Sequence, residues 1–152
     1  NVDSIEFGSS YHWQMVKENK ILFKNAKYLS FATEEYSYTG GAHGNTISNH
    51  YIFDLEQNTL ISPGDLLDTS KCEEIILLQK KSLEKAGQNI EGFWMEGFRC
   101  DANFYIQDNG LVFHYDQYEI ASYAAGPMDI FVSFEEIKPY LVNPDILNEF
   151  TK

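Results

Sequence analysis

Tyr38-Thr39-Gly40-Gly41-Ala42-His43-Gly44 packs three glycines into five residues beside a histidine. Glycine permits φ > 0 and close backbone approach, and successive N–H groups in such a loop can form an anion nest. His43 adds a group that titrates near neutral pH. No Gly-Lys-Ser/Thr follows, so this is not a Walker loop. No Ser/His/Asp or Cys/His spacing accompanies it either. The bland reading is a tight connection between strands with His43 bonded to backbone. The functional reading is a rigid rim that presents Tyr38, Gly41 and His43 to a partner.

A second stretch, Tyr115 to Pro127, joins small residues to tyrosines: Tyr118, then Ala121-Ser122-Tyr123-Ala124-Ala125-Gly126. Tyrosine beside Ser, Ala and Gly has the composition of recognition loops, where a rigid amphipathic ring gives contact area at little entropic cost. Equally, Tyr115 and Tyr118 can be core aromatics whose hydroxyls reach the surface, with Gly126-Pro127 as a turn. The four histidines, His12, His43, His50 and His114, lie far apart and suggest no metal site. The carboxylates come as adjacent pairs, Glu34-Glu35, Glu73-Glu74 and Glu135-Glu136, whose members point apart on a strand or helix. No catalytic residue, metal ligand or cofactor motif can be named from these patterns. A hydrolase with His43 as general base needs a carboxylate delivered by the fold.

Charge narrows the partners. The chain of 152 residues has 23 acidic against 11 basic side chains and a formal net charge of -12. Nucleic-acid binding needs a stripe of cations to displace phosphate counterions, and the sequence supplies none. Anionic lipid is disfavoured by the same sign, and no apolar run is long enough to span a bilayer. A basic protein would be steered inward. With 43% hydrophobic residues and little Gly or Pro, the chain reads as one folded domain, residues 1–152. Cys72 and Cys100 show no CxxC spacing. Cys72 falls on the apolar face of a helix, which favours a buried thiol, while an oxidising compartment would permit a disulfide.

The elements that must position these residues follow from periodicity. Strands are expected over Trp13–Phe23 and Lys27–Tyr38, with a turn at Asn25-Ala26. A bulge near Glu34-Glu35 would put Leu29, Phe31, Tyr36 and Tyr38 on one side; burial of both faces would serve too. Tyr51–Leu55 makes a third strand and Leu60-Ile61 a short one, ended by Pro63-Gly64. Ser70 and Glu73 form a capping-box pattern for a helix over about 70–86, with Gly87 as its stop. Phe104–Tyr115 is a hairpin signal with Asn109-Gly110 as a type I′ turn, pairing Ile106 with Phe113. That places Phe104, Ile106, Leu111, Phe113 and Tyr115 on one face and Tyr105, Gln107, Val112 and His114 on the other. A last strand, Met128–Val132, leads into a short helix capped by Ser133 and Glu136 and limited by Pro139. The fold class is α+β, a mostly antiparallel sheet covered by one main helix, with a short C-terminal helix.

The motifs YTGGAHG (Tyr38–Gly44), Phe53-Asp54-Leu55, ISPGDLL (Ile61–Leu67) and YEIASYAAG (Tyr118–Gly126) occur in the order and spacing of a bacterial family. The chain resembles the domain of unknown function that forms the extracytoplasmic part of RsiV-type anti-sigma factors. The same domain accompanies PdaC-type peptidoglycan deacetylases and occurs in many lipoproteins. The resemblance implies a non-catalytic α+β binding or sensor domain of the cell envelope, in the periplasm or at the cell surface. It also implies that part of an N-terminal region is missing, through which the protein would be membrane- or lipid-anchored. In RsiV-type members the domain is a receptor for lysozyme, so a basic, lysozyme-like protein or a peptidoglycan fragment is the implied partner. Ser122, Tyr123 and Ala124 align with the lysozyme-contacting loop, Ser122 standing where proline is usual. An accessory domain that positions a neighbouring catalytic module is the other reading.

Overall fold

The computed structural model describes residues 13–151. Four antiparallel strands form a meander in the order β1 (Gln14–Lys24), β2 (Tyr28–Tyr38), β3 (Asn45–Asp54) and β4 (Thr59–Ile61). Asn25 makes the first turn: its side-chain oxygen accepts the amides of Lys27 and Tyr28 at 2.9 and 2.7 Å. Asp54 makes the third, accepting the amides of Glu56 and Gln57 at 2.9 Å each. No bulge occurs at Glu34-Glu35; β2 pairs with β3 without a break from Tyr28↔Asp54 to Ser37↔Asn45. The irregularity lies in β1, between Ile21 and Phe23. A straight β2 suffices because its faces differ. Tyr28, Ser30 and Ala32 are buried on one side, and Leu29 and Phe31 are half-buried on the other.

Pro63-Gly64 does not simply end β4. It opens helix α1 (Pro63–Leu66), with Ser62 and Asp65 as a capping box and Pro at the first turn, where its missing N–H costs nothing. The main helix, α2 (Cys72–Lys85), begins after a 3₁₀ turn, Thr69–Lys71. That turn is capped by Asp68, whose carboxylate takes both the amide and the hydroxyl of Ser70. Ser70 is thus a donor to an upstream cap and not itself the cap. Gly87, at φ 80°, ends the helix in a Schellman motif, with Gln88 N bonded to Leu83 O and Gly87 N to Glu84 O.

The second sheet has the order β5 (Phe104–Gln107), β6 (Gly110–Tyr115), β7 (Met128–Ser133). Its hairpin turns at Asp108-Asn109, with Gln107↔Gly110 and Ile106↔Leu111 paired, two residues out of the expected register. Neither turn residue has positive φ, so the turn is not type I′. Gly110 serves close approach instead, since a Cβ there would overlap the Val132 carbonyl and the Phe131 ring. A slip of two preserves parity. Phe104, Ile106, Leu111, Phe113 and Tyr115 therefore still share the face that joins Ile75, Leu83, Ile130 and Val132 in the core. Val112 and His114, on the other face, are buried as well. The first sheet reaches that side: Ser30 Oγ accepts the Ile106 amide at 3.3 Å, and Asn103 bonds the exposed edge of β3 at His50 N and Ser48 O.

Ser133 and Glu136 form the expected capping box for α3 (Phe134–Ile137), and Pro139 lies in the 3₁₀ turn that follows. A further short helix, α4 (Ile146–Phe150), was not expected; it buries Leu147 and Phe150. Cys72 is no free thiol: it is bonded to Cys100, 28 residues on. Beside that bond, Gln79 on α2 is fully buried. It donates to Arg99 O at 2.9 Å and accepts from the Tyr115 hydroxyl at 2.7 Å. The polar interruption of the helix face is a satisfied cross-link between helix, loop and hairpin.

Candidate functional site

The glycine loop and the tyrosine loop, about 80 residues apart in sequence, meet. The rings of His43 and Tyr123 stack with centroids 3.8 Å apart, and Tyr118 lies 5.6 Å from Tyr123. The Tyr123 hydroxyl donates to Gly44 O at 3.1 Å, and His43 Nδ1 lies 3.1 Å from the same oxygen. Gly40 and Gly41 hold φ near 100°, and the Tyr38 hydroxyl closes the loop by donating to Gly41 O at 2.9 Å. Gly44 is buried for a different reason: a Cβ would overlap the Tyr36 ring. His43 is therefore backbone-bonded, as the bland reading has it, and is also part of a face.

The late loop carries strain. Tyr118 has φ 70°, a left-handed conformation that costs a bulky residue roughly 1–2 kcal/mol. The turn that imposes it is reciprocal: Asp116 N donates to Glu119 Oε2 at 2.7 Å and Glu119 N to Asp116 O at 3.2 Å. The strained residue is 51% exposed. Strain of this kind is retained where the presented side chain has a use. Ser122 and Ala124 are exposed at the tip of a 3₁₀ turn, Tyr123–Ala125, and Gly126, φ 75°, closes it.

Behind this face lies a cluster that the spacing of the histidines did not reveal. His114 on β6 is buried with Nδ1 2.7 Å from Asp129 Oδ1 and Nε2 3.1 Å from Asp116 Oδ1. His50 on β3 lies between Tyr105, on which it stacks, and His114, against which it is tilted, each centroid 4.7 Å away. A cavity of about 170 Å³ between the sheets adjoins them, lined also by Glu18, Lys20 and Glu34. Burial alone would lower the His114 pKa, but hydrogen bonds to Asp116 and Asp129 and their charges push it up to about 9. Burial and the neighbouring His114 charge lower His50 to about 4, and His50 Nδ1 is buried without a partner. Burial and the Asp129 charge raise the Tyr105 hydroxyl. Among the described residues no group of three His, Cys, Asp or Glu side chains is arranged to hold a metal. The cluster can hold a proton. The signal available in sequence was parity: Tyr105 and His114 share the hairpin face that the first sheet covers. His12 lies outside the described residues.

A family model described as a protein of unknown function, DUF3298, matches residues 20–135. The chain belongs to the DUF3298 family. A member from Bacteroides fragilis has a solved structure that aligns over 94% of this chain with a TM-score of 0.80 at 23% identity. A second DUF3298 structure, from Pseudomonas aeruginosa, aligns over 87% with a TM-score of 0.69 at 18% identity. At these identities the likeness is one of fold. The chain spans 60% and 63% of the lengths of those two proteins. No curated protein matches it. Within this DUF3298 chain, no helix among the described residues is long and apolar enough to cross a membrane.

Proposed function

We propose that this DUF3298 domain is a non-catalytic binding or sensor domain of the bacterial cell envelope that grips its partner with the His43–Tyr123–Tyr118 face. The observation that carries the reading is the exposed, strained Tyr118 beside a histidine–tyrosine stack assembled from two loops. An anchor of rigid aromatic rings is what a protein interface uses. The Cys72–Cys100 disulfide suits an oxidising, extracytoplasmic compartment. The net charge of -12 favours a cationic partner. A lysozyme-like protein combines that charge with the RsiV-type resemblance, and a peptidoglycan fragment is the other candidate. The hydrolase alternative needs His43 beside a carboxylate in a cleft. Its Nδ1 instead meets a backbone carbonyl on an exposed loop, which favours binding over turnover.

The test is a calorimetric titration with hen-type lysozyme, run alongside inhibition of cell lysis at low and moderate salt. Binding with inhibition, weakening as salt rises, supports the reading. A folded domain that neither binds nor inhibits removes lysozyme, and peptidoglycan fragments are then titrated in the same way. Turnover that survives repurification and is lost in His43→Ala would overturn the non-catalytic assignment.

A further inference from the structure

The two loops of the aromatic face are joined from behind by one carboxylate. Asp116 opens the tyrosine loop, and its two oxygens lie 3.1 and 3.3 Å from the amide of Ser48, on the strand that leaves Gly44. The second group on the Asp116 carboxylate is His114 Nε2, at 3.1 Å, while His114 Nδ1 is engaged 2.7 Å from Asp129. An imidazole donates from both nitrogens only when it carries two protons. A neutral ring must turn a lone pair towards one of the two carboxylates. The shorter contact keeps the proton on the Asp129 side, so the lone pair faces Asp116.

We propose that His114 is the positioning residue of the recognition face: as an imidazolium it pins Asp116, and through Asp116 it docks the 116–126 loop on β3 so that Tyr123 stacks on His43. The proposal rests on reading that face as the binding site. The charged and titratable groups around the ring are consistent with it. Asp116 and Asp129 supply negative charge directly, and Glu18 and Glu34 line the adjoining cavity from β1 and β2. Lys20 on β1 opposes them, and His50 on β3 packs against the ring without adding charge. His50 is held neutral by burial and by the His114 charge, and Tyr105 on β5 donates to Asp129 at 3.2 Å. The proton on His114 is retained up to about pH 9. Across the neutral range the clamp therefore holds, and loss of its proton or its partner loosens the docking of the loop on β3, while the Tyr123–Gly44 hydrogen bond remains as a polar tie.

The test needs no ligand, so failure of the partner assignment leaves it intact. Backbone amide signals of Ser48, Tyr123 and Ala124, and the His114 ring signals, are followed by NMR from pH 6 to 9.5. Circular dichroism checks the fold. In the wild type the three amides are expected to shift together with the His114 ring, with the midpoint near 9. In His114→Gln they should be displaced at neutral pH and insensitive to pH. Protection of the Ser48 amide should drop by about tenfold or more as local opening is released. Asp116→Asn keeps the ring in place and removes the charge. It should displace the same amides and bring the His114 midpoint down, which carries the test if His114→Gln does not fold. A His114 ring that titrates while Tyr123 and Ala124 stay fixed would overturn the proposal. So would an Asp116→Asn variant whose loop amides match the wild type.

Discussion

Stability should peak near pH 6.5 and fall on both sides, because His50 and His114 are displaced in opposite directions. His114 moves up from 6.5 to about 9 on folding. The native state therefore holds a proton that the unfolded chain releases between those values, and stability declines as pH rises through the window. At about 1.4 kcal/mol per pH unit, the ceiling is about 3.4 kcal/mol. The His114 side chain is only 8% exposed, but Asp129 is 54% exposed and screened by water, so about 2 kcal/mol is expected between pH 6.5 and 9.5. His50 moves down from 6.5 to about 4. There the unfolded chain takes up the proton first, and stability falls as pH drops from 6.5 towards 4. The assay is urea denaturation with the disulfide intact, at steps from pH 4.5 to 9.5, on the wild type, His114→Gln and His50→Asn. With a urea slope of roughly 1–3 kcal/mol/M, the alkaline loss moves the wild-type midpoint by about 1 M. Other groups titrate in both windows, so the informative quantity is the difference between wild type and variant. The wild-type advantage over His114→Gln should shrink by about 2 kcal/mol on the alkaline side. Relative to His50→Asn, the wild type should lose stability as pH falls from 6.5 towards 4. Differences that stay constant across pH would refute the assignment of charged His114 and neutral His50.

Three residues and one bond give further expectations. Tyr123→Ala should weaken partner binding by about 1–3 kcal/mol in calorimetry while circular dichroism stays native; unchanged affinity removes Tyr123 from the site. Tyr118→Gly should leave thermal stability unchanged or higher by up to about 1 kcal/mol, because relief of the left-handed strain offsets the lost side chain, yet reduce binding. A clear loss of stability would mean that the strain has been misjudged. Gly44→Ala drives a methyl into the Tyr36 ring and should cost about 1–3 kcal/mol in denaturation, displacing the His43 and Tyr123 signals together. Replacing Cys72 and Cys100 by serine opens a loop spanning 28 residues and should cost about 3.5 kcal/mol in chemical denaturation. A midpoint that dithiothreitol leaves unmoved would show that the bond contributes nothing.

Local signals made much of this fold legible. Alternating strands, the α2 pattern closed by Gly87, and the Ser133–Glu136 cap depend on neighbours within a few residues, so the sequence states them directly. The hairpin face survived a register error because parity is unchanged by a slip of two. The register itself was set by Gly110 making room for β7, a long-range contact invisible to a turn rule. The start of α2 departs from the capping-box pattern for a more local reason: Asp68 takes the amide and hydroxyl of Ser70 and caps the 3₁₀ turn before the helix, and α2 itself begins without a side-chain cap.

The candidate site divides along the same line. The glycine and tyrosine stretches were visible separately as unusual composition, because each loop's backbone demands its own small residues. Their contact through His43 and Tyr123 belongs to the tertiary structure, as do the Cys72–Cys100 bond and the His114 clamp. Cys72 reads as a buried thiol until the loop after α2 brings Cys100 beside it. His50 and His114 read as ordinary polar residues until two sheets close over them and set Asp116 and Asp129 beside His114. Burial and geometry, not residue type, give one histidine a retained proton and deny it to the other.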